Sequence, residues 1–467
     1  MNILTADIGS TYTKLTAIDT AKKEIVATSS AFTTIDTNVE EGFTAAYNKL
    51  KRQAGAFRYD ELLCCSSAAG GLKMVSLGLV PELTAKAAKL AAASAGAKVV
   101  KTYAFEISQA EQAEIFDIRP DLVLLCGGTD GGNKEVILAN ARRLCQVGCP
   151  FTVVVAGNKC ASFELEEIFR ASGKPFVITE NVMPEFNRLN IEPARRKIKE
   201  LFISRIIEAK GLSRIQEMCK TDIIPTPLAV LNACELLSKG TKNMPGLGDL
   251  LAVDIGGATT DVYSISDGRP TLENVTVKGL PEPVSKRTVE GDLGMRYSLP
   301  SLVDELDLDA FSKELSIDRS EVIDWVKTCT QHPGLLAEAE SREQKIEELI
   351  ARNAVKIAVE RHAGTYQPVY TPFGQVYTLT GKDLAAVPFV IGIGGVVINA
   401  RRPHAILEGA KRQPDDHVFA KPEQPGYLID KKYIFASMGL LGSAYPDLAL
   451  ELMKKETINL THYGNFQ

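Results

Sequence analysis

The sequence lacks the features that mark several classes of protein. No run of about 18 apolar residues occurs, as a membrane-spanning helix would need, and the opening residues MNILTADIG have no basic stretch followed by an apolar one. The sequence also has no excess of positive charge, because it contains 53 basic and 58 acidic residues and its formal net charge is −5. Nucleic-acid affinity depends largely on clustered lysine and arginine. We therefore expect a cytoplasmic chain with neither a membrane nor a nucleic acid as its partner.

Cysteine is present, but not in the spacing typical of zinc sites. The nine cysteines are odd in number and include no CxxC pair. We expect reduced thiols that mostly behave as small buried apolar residues. The histidines are scattered, and we expect surface or loop positions for His332, His362, His404 and His417.

The first 60 residues predict three strands and a helix. The runs MNILTADIG, YTKLTAID and EIVATSSAF are β-prone and separated by turn residues. Residues 40–54 then place Phe43, Ala46, Tyr47 and Leu50 at helical spacing. We expect an antiparallel β-β-β-α unit, which is the first part of a domain.

From 61 to 200 the pattern changes to short apolar runs that alternate with helices. AKVVKTYAF, PDLVLLCGG, PFTVVVAGN and KPFVITENV read as parallel strands with crossover helices. We expect an inserted Rossmann-like domain here. Its loop CGGTDGG (126–132) follows a strand, where open α/β sheets bind ligands. That loop is either a second phosphate or cobalamin-related site or a tight structural turn.

The second half of the chain repeats the start of the first. Residues 201–250 read as a connecting helical region, and DLLAVDIGGATTDVYSI again has the order strand, glycine turn, strand. We expect a second domain over 251–400 with a charged helical insert at 301–365 and a hairpin turning near Gly374. Residues 401–467 are expected to form a loop and a connecting helix that returns to the first domain.

The repeated turn suggests phosphate chemistry. TADIGSTYTK (5–14) and AVDIGGATTD (252–261) each place Asp and Gly directly after an apolar run. Glycine permits backbone N–H groups to approach phosphate oxygens closely, and an aspartate beside phosphates requires a cation such as Mg²⁺. One such turn is common in proteins; two predict a pair of hairpins that close on one nucleotide. The glycine cluster IGIGG (391–395) could pack against the adenine or ribose.

These motifs resemble those of the superfamily of actin, sugar kinases and Hsp70 ATPases. DIGST (7–11) is similar to its first phosphate motif, DIGGATTD (254–261) to its second and GIGGVV (392–397) to its adenosine motif. TPLAVLNACELL (226–237) and SMGLLGSAYP (437–446) resemble its two connecting helices. The resemblance covers most of the chain outside 61–200. It implies an α/β fold of two actin-like ATPase (ribonuclease H-like) domains with an inserted Rossmann-like domain.

Within that superfamily, three stretches resemble the glutamate mutase accessory proteins called MutL or GlmL, which are unrelated to mismatch-repair MutL. These are LLCGGTDGG, VPFVIGIGGVVIN and EGDLGMRYS (290–298). The resemblance implies a chaperone-like ATPase that reactivates an adenosylcobalamin-dependent mutase or aminomutase, with subunits of that enzyme as partners. ATP, ADP and Mg²⁺ would be its ligands.

The resemblance also implies roles for individual residues. Asp7 and Asp254 would hold Mg²⁺, and Asp261 would orient the attacking water. The β- and γ-phosphates would be bound by Gly9, Ser10, Thr11, Gly256, Gly257, Thr259 and Thr260, and the adenosine by Gly392, Gly394 and Gly395. Chaperone ATPases have a catalytic Glu before the Pro-Thr of the first connecting helix, where this chain has Ile224; Asp222 is out of register. We therefore expect slow hydrolysis.

Other functions are compatible with the same nucleotide motifs. A sugar or carboxylate kinase would need an aspartate base, which the spacing does not identify. An iron–sulfur ATPase that activates a dehydratase would need a cluster held between subunits by cysteine thiolates. An actin-like filament protein is the non-enzymatic alternative.

Overall fold

The computed structural model describes residues 1–9, 12–34, 38–55, 57–67, 73–209, 212–372 and 374–460. The chain divides into two compact units. The first comprises Met1–Val230 and Gly279–Pro281, and the second comprises Leu231–Lys278 and Glu282–Gln467. Within the described ranges, no helix combines the length and the apolar character needed to cross a membrane.

The strands of these residues are numbered in chain order. They are β1 (Asn2–Ile8), β2 (Tyr12–Asp19), β3 (Glu24–Phe32), β4 (Glu61–Ser66), β5 (Lys73–Gly78), β6 (Lys98–Ala104), β7 (Leu122–Leu125), β8 (Thr152–Val155), β9 (Phe176–Ile178), β10 (Ile224–Pro225), β11 (Leu250–Ile255), β12 (Thr260–Ile265), β13 (Val275–Lys278), β14 (Ser285–Glu290), β15 (Thr365–Thr371), β16 (Gly374–Thr380), β17 (Phe389–Ile393), β18 (Gly426–Ile429) and β19 (Ile458–Asn459).

The α-helices are numbered in the same way. They are α1 (Val39–Ala54), α2 (Lys86–Ser94), α3 (Gln109–Ile118), α4 (Glu135–Gln146), α5 (Ser162–Ser172), α6 (Glu192–Ala209), α7 (Ser213–Met218), α8 (Thr226–Lys239), α9 (Leu299–Asp304), α10 (Leu308–Leu315), α11 (Arg319–Gln331), α12 (Arg342–His362), α13 (Gly395–Asn399), α14 (Pro403–Leu407), α15 (Phe435–Gly442) and α16 (Pro446–Glu456).

The first sheet has the order β10-β4-β1-β2-β3. β1, β2 and β3 are antiparallel neighbours, whereas β4 runs parallel to β1 and β10 parallel to β4. α1 follows β3, and its apolar face, which includes Phe43, Ala46 and Leu50, is buried. The predicted β-β-β-α unit is therefore confirmed.

The boundary predicted at residue 61 is wrong. The run at 61–66 forms β4 of the first sheet, and the separate parallel sheet begins only with β5 at Lys73. A buried parallel strand has no alternating polar face, so its sequence resembles the apolar runs that follow it. Pairing with β1, rather than composition, assigns β4 to the first sheet.

The insert is a parallel sheet in the order β6-β5-β7-β8-β9. Every residue of β7 (LVLL) and β8 (TVVV) is buried, as expected for strands covered on both faces. The predicted strands at β6 to β9 and the crossover helices are confirmed. The strand β5, which lies between β6 and β7, has no counterpart among the predicted strands. In chain order the sheet reads 2-1-3-4-5, which is a common doubly wound topology.

The second sheet has the order β14-β12-β11-β17-β18-β19. β14, β12 and β11 are antiparallel neighbours, and β11, β17 and β18 are parallel. Order and direction thus match those of β3-β2-β1-β4-β10 in the first sheet. This repeat, together with the inserted parallel sheet, confirms the predicted α/β fold with two related halves and a Rossmann-like insert.

The C-terminal segment was expected to return to the first domain, and this prediction is wrong. β18 and β19 extend the second sheet, and α15 and α16 belong to the second unit. The segment from α9 to α12 is helical as predicted. β15 and β16 form the expected antiparallel hairpin, in which Thr371 pairs with Gly374.

Candidate functional site

The first predicted phosphate turn joins β1 to β2. The amide of Gly9 donates to the carbonyl of Tyr12 at 3.0 Å, and a Cβ at Gly9 would lie 2.6 Å from that oxygen. Glycine is therefore required here by the closeness of the turn. Because its amide is engaged, Gly9 shapes the turn rather than donating to a phosphate. Ser10 and Thr11 lie outside the described residues.

Asp7, near the end of β1, is almost completely buried, with 4% of its surface exposed. Its Oδ1 accepts hydrogen bonds from the Thr226 hydroxyl at 2.6 Å and from the Cys65 thiol at 3.5 Å. Its Oδ2 lies 3.9 Å from Lys14 Nζ. Burial, followed by the charge of Asp7, raises the pKa of Cys65 well above its ordinary value, so Cys65 stays a protonated donor.

Thr226 is the first residue of α8 and reaches Asp7 because β10, which precedes it, joins the first sheet. Ile224 in β10 pairs with Cys65 in β4, and Cys65 is also the partner of Asp7 across β1 and β4. Asp222 is exposed. A hydroxyl, rather than the carboxylate of chaperone ATPases, is thus the group that this segment presents to Asp7. The sequence indicated that a carboxylate is absent at position 224, but it did not predict the hydrogen bond from Thr226 to Asp7.

The second predicted phosphate turn joins β11 to β12 and is held by the segment at 290–298. The Gly256 amide closes the turn by donating to Thr259 O at 2.9 Å. Gly257 O accepts from the amides of Arg296 and Tyr297, each at 2.8 Å. A Cβ at Gly294 would lie 2.3 Å from the backbone of Ala258, so the two segments touch directly.

Two predicted phosphate ligands of this turn have structural partners instead. The buried Thr260 hydroxyl donates to the carbonyl of Leu293 at 2.6 Å, and the Gly256 amide is used within the turn. The Thr259 hydroxyl donates to Oδ2 of Asp261 at 3.2 Å. Of the predicted residues of this turn, Gly257 and Thr259 remain candidates for phosphate contact through their backbone amides.

The glycine cluster at the end of β17 lies beside Asp254. β17 runs parallel to β11, and Asp254 pairs with Ile393. Gly394 has φ +99°, and a Cβ there would lie 2.8 Å from Asp254 Oδ1 and 2.4 Å from Ile255 O. Gly392 faces the interior, where a Cβ would lie 2.7 Å from Val397 Cγ1, whereas a Cβ at Gly395 would lie 3.9 Å from its nearest neighbour. Gly394 is thus the member whose missing side chain gives access to Asp254.

Asp261 forms a buried ion pair that the sequence did not predict. Its Oδ1 accepts from Arg287 Nε at 2.8 Å and lies 2.5 Å from Arg287 Nη2. Burial by itself lowers the pKa of the Arg287 guanidinium, but the charge of Asp261, the nearby Tyr263 and the hydrogen bonds to both together outweigh burial, and the pKa stands above its ordinary value. Oδ1 of Asp261 is therefore already occupied by the guanidinium.

Each turn, taken by itself, offers a carboxylate of the kind that magnesium binds. No three His, Cys, Asp or Glu side chains gather into a metal site in the part of the chain that the structure describes. Magnesium needs only one or two carboxylates when phosphate oxygens and waters complete its shell. Asp7 and Asp254 each supply a carboxylate beside a close glycine turn, and a Cβ at Gly394 would fill the space next to Asp254.

The conformation of the loop at 126–132 is held by hydrogen bonds to two asparagines outside it. Asn158 accepts from the Gly131 amide and donates to Gly132 O, at 3.1 and 3.0 Å. Asn181 donates to Gly128 O and to Asp130 Oδ1, both at 3.0 Å. These bonds favour the structural interpretation of this loop.

The expectation for the cysteines is confirmed, and the one for His362 is wrong. All nine cysteines are free thiols, and six of them are buried. His362 is completely buried; its ring nitrogens lie 2.8 Å from the hydroxyls of Thr288 and Ser264. Burial lowers its pKa well below the ordinary value, so it is a neutral member of the core.

The chain is similar to known proteins over nearly its whole length. The model of the family described as MutL protein matches residues 3–457. Protein MutL from Clostridium tetanomorphum is 46% identical over 459 residues, which cover 98% of this chain and 99% of that protein.

Likeness to solved structures is more distant. A nucleotide-free acetone carboxylase is 14% identical, covers 94% of this chain and 69% of its own, and has a TM-score of 0.39. Xylulose kinase from Bifidobacterium adolescentis is 11% identical, with coverages of 97% and 93% and a TM-score of 0.30. Gluconate kinase from Lactobacillus acidophilus is 9% identical, with coverages of 98% and 92% and a TM-score of 0.34. TM-scores this low support no functional comparison.

Proposed function

Because the chain belongs to the MutL protein family, we propose that it is a slow, magnesium-dependent ATPase that reactivates an adenosylcobalamin-dependent mutase or aminomutase. The ATPase part rests on the repeated turn: each sheet ends its first strand with an aspartate next to a close glycine turn. The reactivating role rests on the resemblance to glutamate mutase accessory proteins. Glutamate mutase is therefore the first partner to test.

In this proposal the aspartates hold the cation and the turns hold the phosphates. Asp7 and Asp254 would bind Mg²⁺, which neutralises charge on the phosphate oxygens during phosphoryl transfer. In the second turn the backbone amides of Gly257 and Thr259 would donate to phosphate, because the Thr259 hydroxyl donates to Asp261. In the first turn Ser10 and Thr11 would donate. The adenosine would pack against Gly394 and Gly395.

Hydrolysis is expected to be slow because no residue of the turns is suited to be a strong base. Ile224 replaces the carboxylate at the start of the first connecting helix, and Thr226 instead donates to Asp7. Oδ1 of Asp261 accepts a hydrogen bond from Arg287, so this oxygen is not available to an attacking water. Slow turnover suits a switch, because it prolongs the ATP-bound and ADP-bound states that would act differently on a partner.

The ATPase proposal is tested by measuring phosphate release from Mg²⁺–ATP. Asp7→Asn and Asp254→Asn should each reduce the rate to background while unfolding remains cooperative. Asp222→Asn is the matched control, because Asp222 is an exposed aspartate near the same connecting helix, and it should keep the wild-type rate. Undiminished hydrolysis in both aspartate variants would place the nucleotide elsewhere. ADP formation that depends on an added sugar or short acid would favour the kinase alternative.

The reactivating role needs a separate experiment. Glutamate mutase inactivated with hydroxocobalamin is incubated with this protein, ATP, Mg²⁺ and fresh adenosylcobalamin. Mutase activity should return, and it should not return with Asp7→Asn or when ATP is omitted. If the wild-type protein hydrolyses ATP but restores neither glutamate mutase nor an aminomutase, the reactivating role is refuted and the ATPase remains.

A further inference from the structure

Three successive carbonyls of the second phosphate turn accept hydrogen bonds from the segment 295–298. The carbonyls of residues 256 and 257 accept from backbone amides of this segment, and the carbonyl of residue 258 accepts from a hydroxyl. The bonds are Met295 N to Gly256 O (3.0 Å), Arg296 N and Tyr297 N to Gly257 O (both 2.8 Å) and Ser298 Oγ to Ala258 O (2.8 Å). All three carbonyls therefore point toward the same segment.

The amides of the turn face the opposite way. A trans peptide directs its N–H away from the C=O to which it is joined, so each of these carbonyls orients the amide of the next residue. The three amides oriented in this way belong to Gly257, Ala258 and Thr259. Ala258 is exposed, and the other two residues are partly exposed. Successive N–H groups on one side of a turn form a site for an anion such as phosphate.

The Arg296 side chain holds the segment 295–298 in place. Its Nε donates to Pro333 O at 3.2 Å, and its Nη2 donates to Leu335 O at 3.0 Å. Nη2 also lies 2.7 Å from Oε1 of Glu347 in α12, and both of these side chains are largely buried. The guanidinium thus ties the segment to the helical insert, both to the loop before α12 and to α12 itself.

From these contacts we propose that Arg296 is a positioning residue for the second phosphate turn. It fixes the segment 295–298 against the helical insert, and the segment in turn orients the amides of Gly257, Ala258 and Thr259 toward the phosphates. An arginine suits this task because its planar group holds several acceptors in fixed directions, which a lysine cannot do. The effect on nucleotide binding rests on the proposed ATPase function, whereas the effect on the segment does not.

The tether is tested without nucleotide, by hydrogen exchange of the whole protein. In Arg296→Gln a peptide that contains 295–297 should exchange at least about tenfold faster than in the wild type, after correction for the intrinsic rates of the changed sequence, because the segment loses its anchor. Arg402→Gln is the matched control. It also removes an arginine from a largely buried glutamate of α12, since Arg402 Nε donates to Glu348 at 3.0 Å. This control should leave exchange of the segment unchanged.

Nucleotide binding shows whether the segment positions the phosphate turn. The affinities for ADP and for adenosine are measured by calorimetry in the presence of Mg²⁺. Arg296→Gln should weaken ADP binding about tenfold, because amides that are no longer oriented lose hydrogen bonds to the phosphates, and it should leave adenosine binding unchanged. Arg402→Gln should bind both ligands as the wild type does. General damage to the second unit would instead weaken the binding of both.

A second variant separates the loss of the tether from the loss of charge. Arg296→Gln leaves the largely buried Glu347 without this counter-charge, which destabilises the fold. Arg296→Gln combined with Glu347→Gln removes the carboxylate charge as well and loses the same tether. It should show the same fast exchange and the same loss of ADP affinity. If neither variant folds, Arg296 is purely structural and the inference is rejected.

The outcomes distinguish this inference from the proposed function. If the wild type binds neither ADP nor ATP, the proposed function fails, and the hydrogen-exchange comparison alone decides whether Arg296 holds the segment. Wild-type exchange of 295–297 in Arg296→Gln overturns the inference. Fast exchange with an unchanged ADP affinity, in a protein that binds ADP, also overturns it. Fast exchange with a selective loss of ADP affinity supports the inference.

Discussion

The Thr226 hydroxyl donates a 2.6 Å hydrogen bond to Oδ1 of Asp7, a residue 219 positions earlier in the chain. The bond ties the start of α8 to the end of the first strand of the chain. The Cys65 thiol donates to the same oxygen, Oδ1. Neither of these two donors contacts Oδ2. The orientation of this carboxylate is therefore set jointly by β4 and α8.

Thr226→Val should reduce ATP hydrolysis, because valine has nearly the same shape but cannot donate to Asp7. Residues that orient a metal-binding carboxylate typically affect metal affinity or activity about 10- to 100-fold. We expect an effect of that size on the Mg²⁺ dependence of the rate. Thr226→Ser, which keeps the hydroxyl, should restore most of it. Equal Mg²⁺ dependence in the valine and serine variants would contradict this role.

The sequence predicted the two glycine turns, which are local, and missed the long-range contacts made by the residues around them. Asp7, Gly9, Asp254 and Gly256 could be identified because a tight turn requires glycine within a few residues of the strand end. Thr226 reaches Asp7 only through the parallel pairing of β10 with β4. Such pairings depend on the register between distant segments, which local composition does not encode.

Arg287 illustrates the same limit in the second unit. It was overlooked because its partner lies diagonally across an antiparallel pair, 26 residues away in the chain. Its position just before EGDLGMRYS was the one available signal, since that motif packs on the second turn. The repeat of strand and glycine turn, in contrast, predicted the repeated sheet order correctly.

Gly394→Ala should abolish ATP hydrolysis without unfolding the second unit completely. Its φ of +99° disfavours any side chain, and the new Cβ would lie 2.8 Å from Asp254 Oδ1. Displacing a reacting group by about 1 Å can cost about 100-fold in rate. Gly248→Ala is the control, because Gly248 lies in the same unit with a similarly positive φ of +83°, but a Cβ there would have no neighbour within 4 Å. Phosphate-release rates and melting curves are measured for both variants. Similar rates in the two variants would show that Gly394 does not border the nucleotide site.

Gly128→Ala should destabilise the insert while leaving the ATPase rate of the folded protein near that of the wild type. A Cβ there would lie 2.0 Å from Asn133 O, and the φ of +70° adds strain. We expect a loss of roughly 2–3 kcal/mol in the free energy of unfolding. Gly131→Ala has a similar φ of +77° but no neighbour within 4 Å, so it should cost only about 1 kcal/mol.

Urea unfolding of these two variants tests the structural interpretation of the loop at 126–132. A loop that binds a ligand would instead lose function in both variants with little change in stability. The ATPase and mutase-reactivation assays, run on the folded variants, distinguish the two cases.

The stability of the second unit should rise with pH above neutrality because of a buried lysine. Lys382 is completely buried, and its Nζ donates to the carbonyls of Val284, Pro283 and Ser264 at 2.7, 3.0 and 3.3 Å. Burial, followed by the positive charge of Lys286, lowers its pKa from 10.5 to about 7, while Glu282 acts in the opposite direction. The folded protein thus releases a proton that the unfolded chain retains.

Between pH 7 and pH 10 the unfolded state therefore binds more protons at Lys382 than the folded state does. Linkage then requires the free energy of unfolding to increase with pH by about 1.4 kcal/mol per unit in this window, as far as Lys382 contributes. Lys382→Met cannot titrate, so the stability of the wild type relative to this variant should grow from pH 7 to pH 9. The loss of donors to three carbonyls lowers the free energy of unfolding of the variant by an amount that does not depend on pH.

Lys286→Met is the matched test, because removing this nearby positive charge should raise the pKa of Lys382. The pH range over which stability increases should then become narrower. Parallel curves for the wild type and Lys382→Met across this range would show that Lys382 stays protonated in the fold.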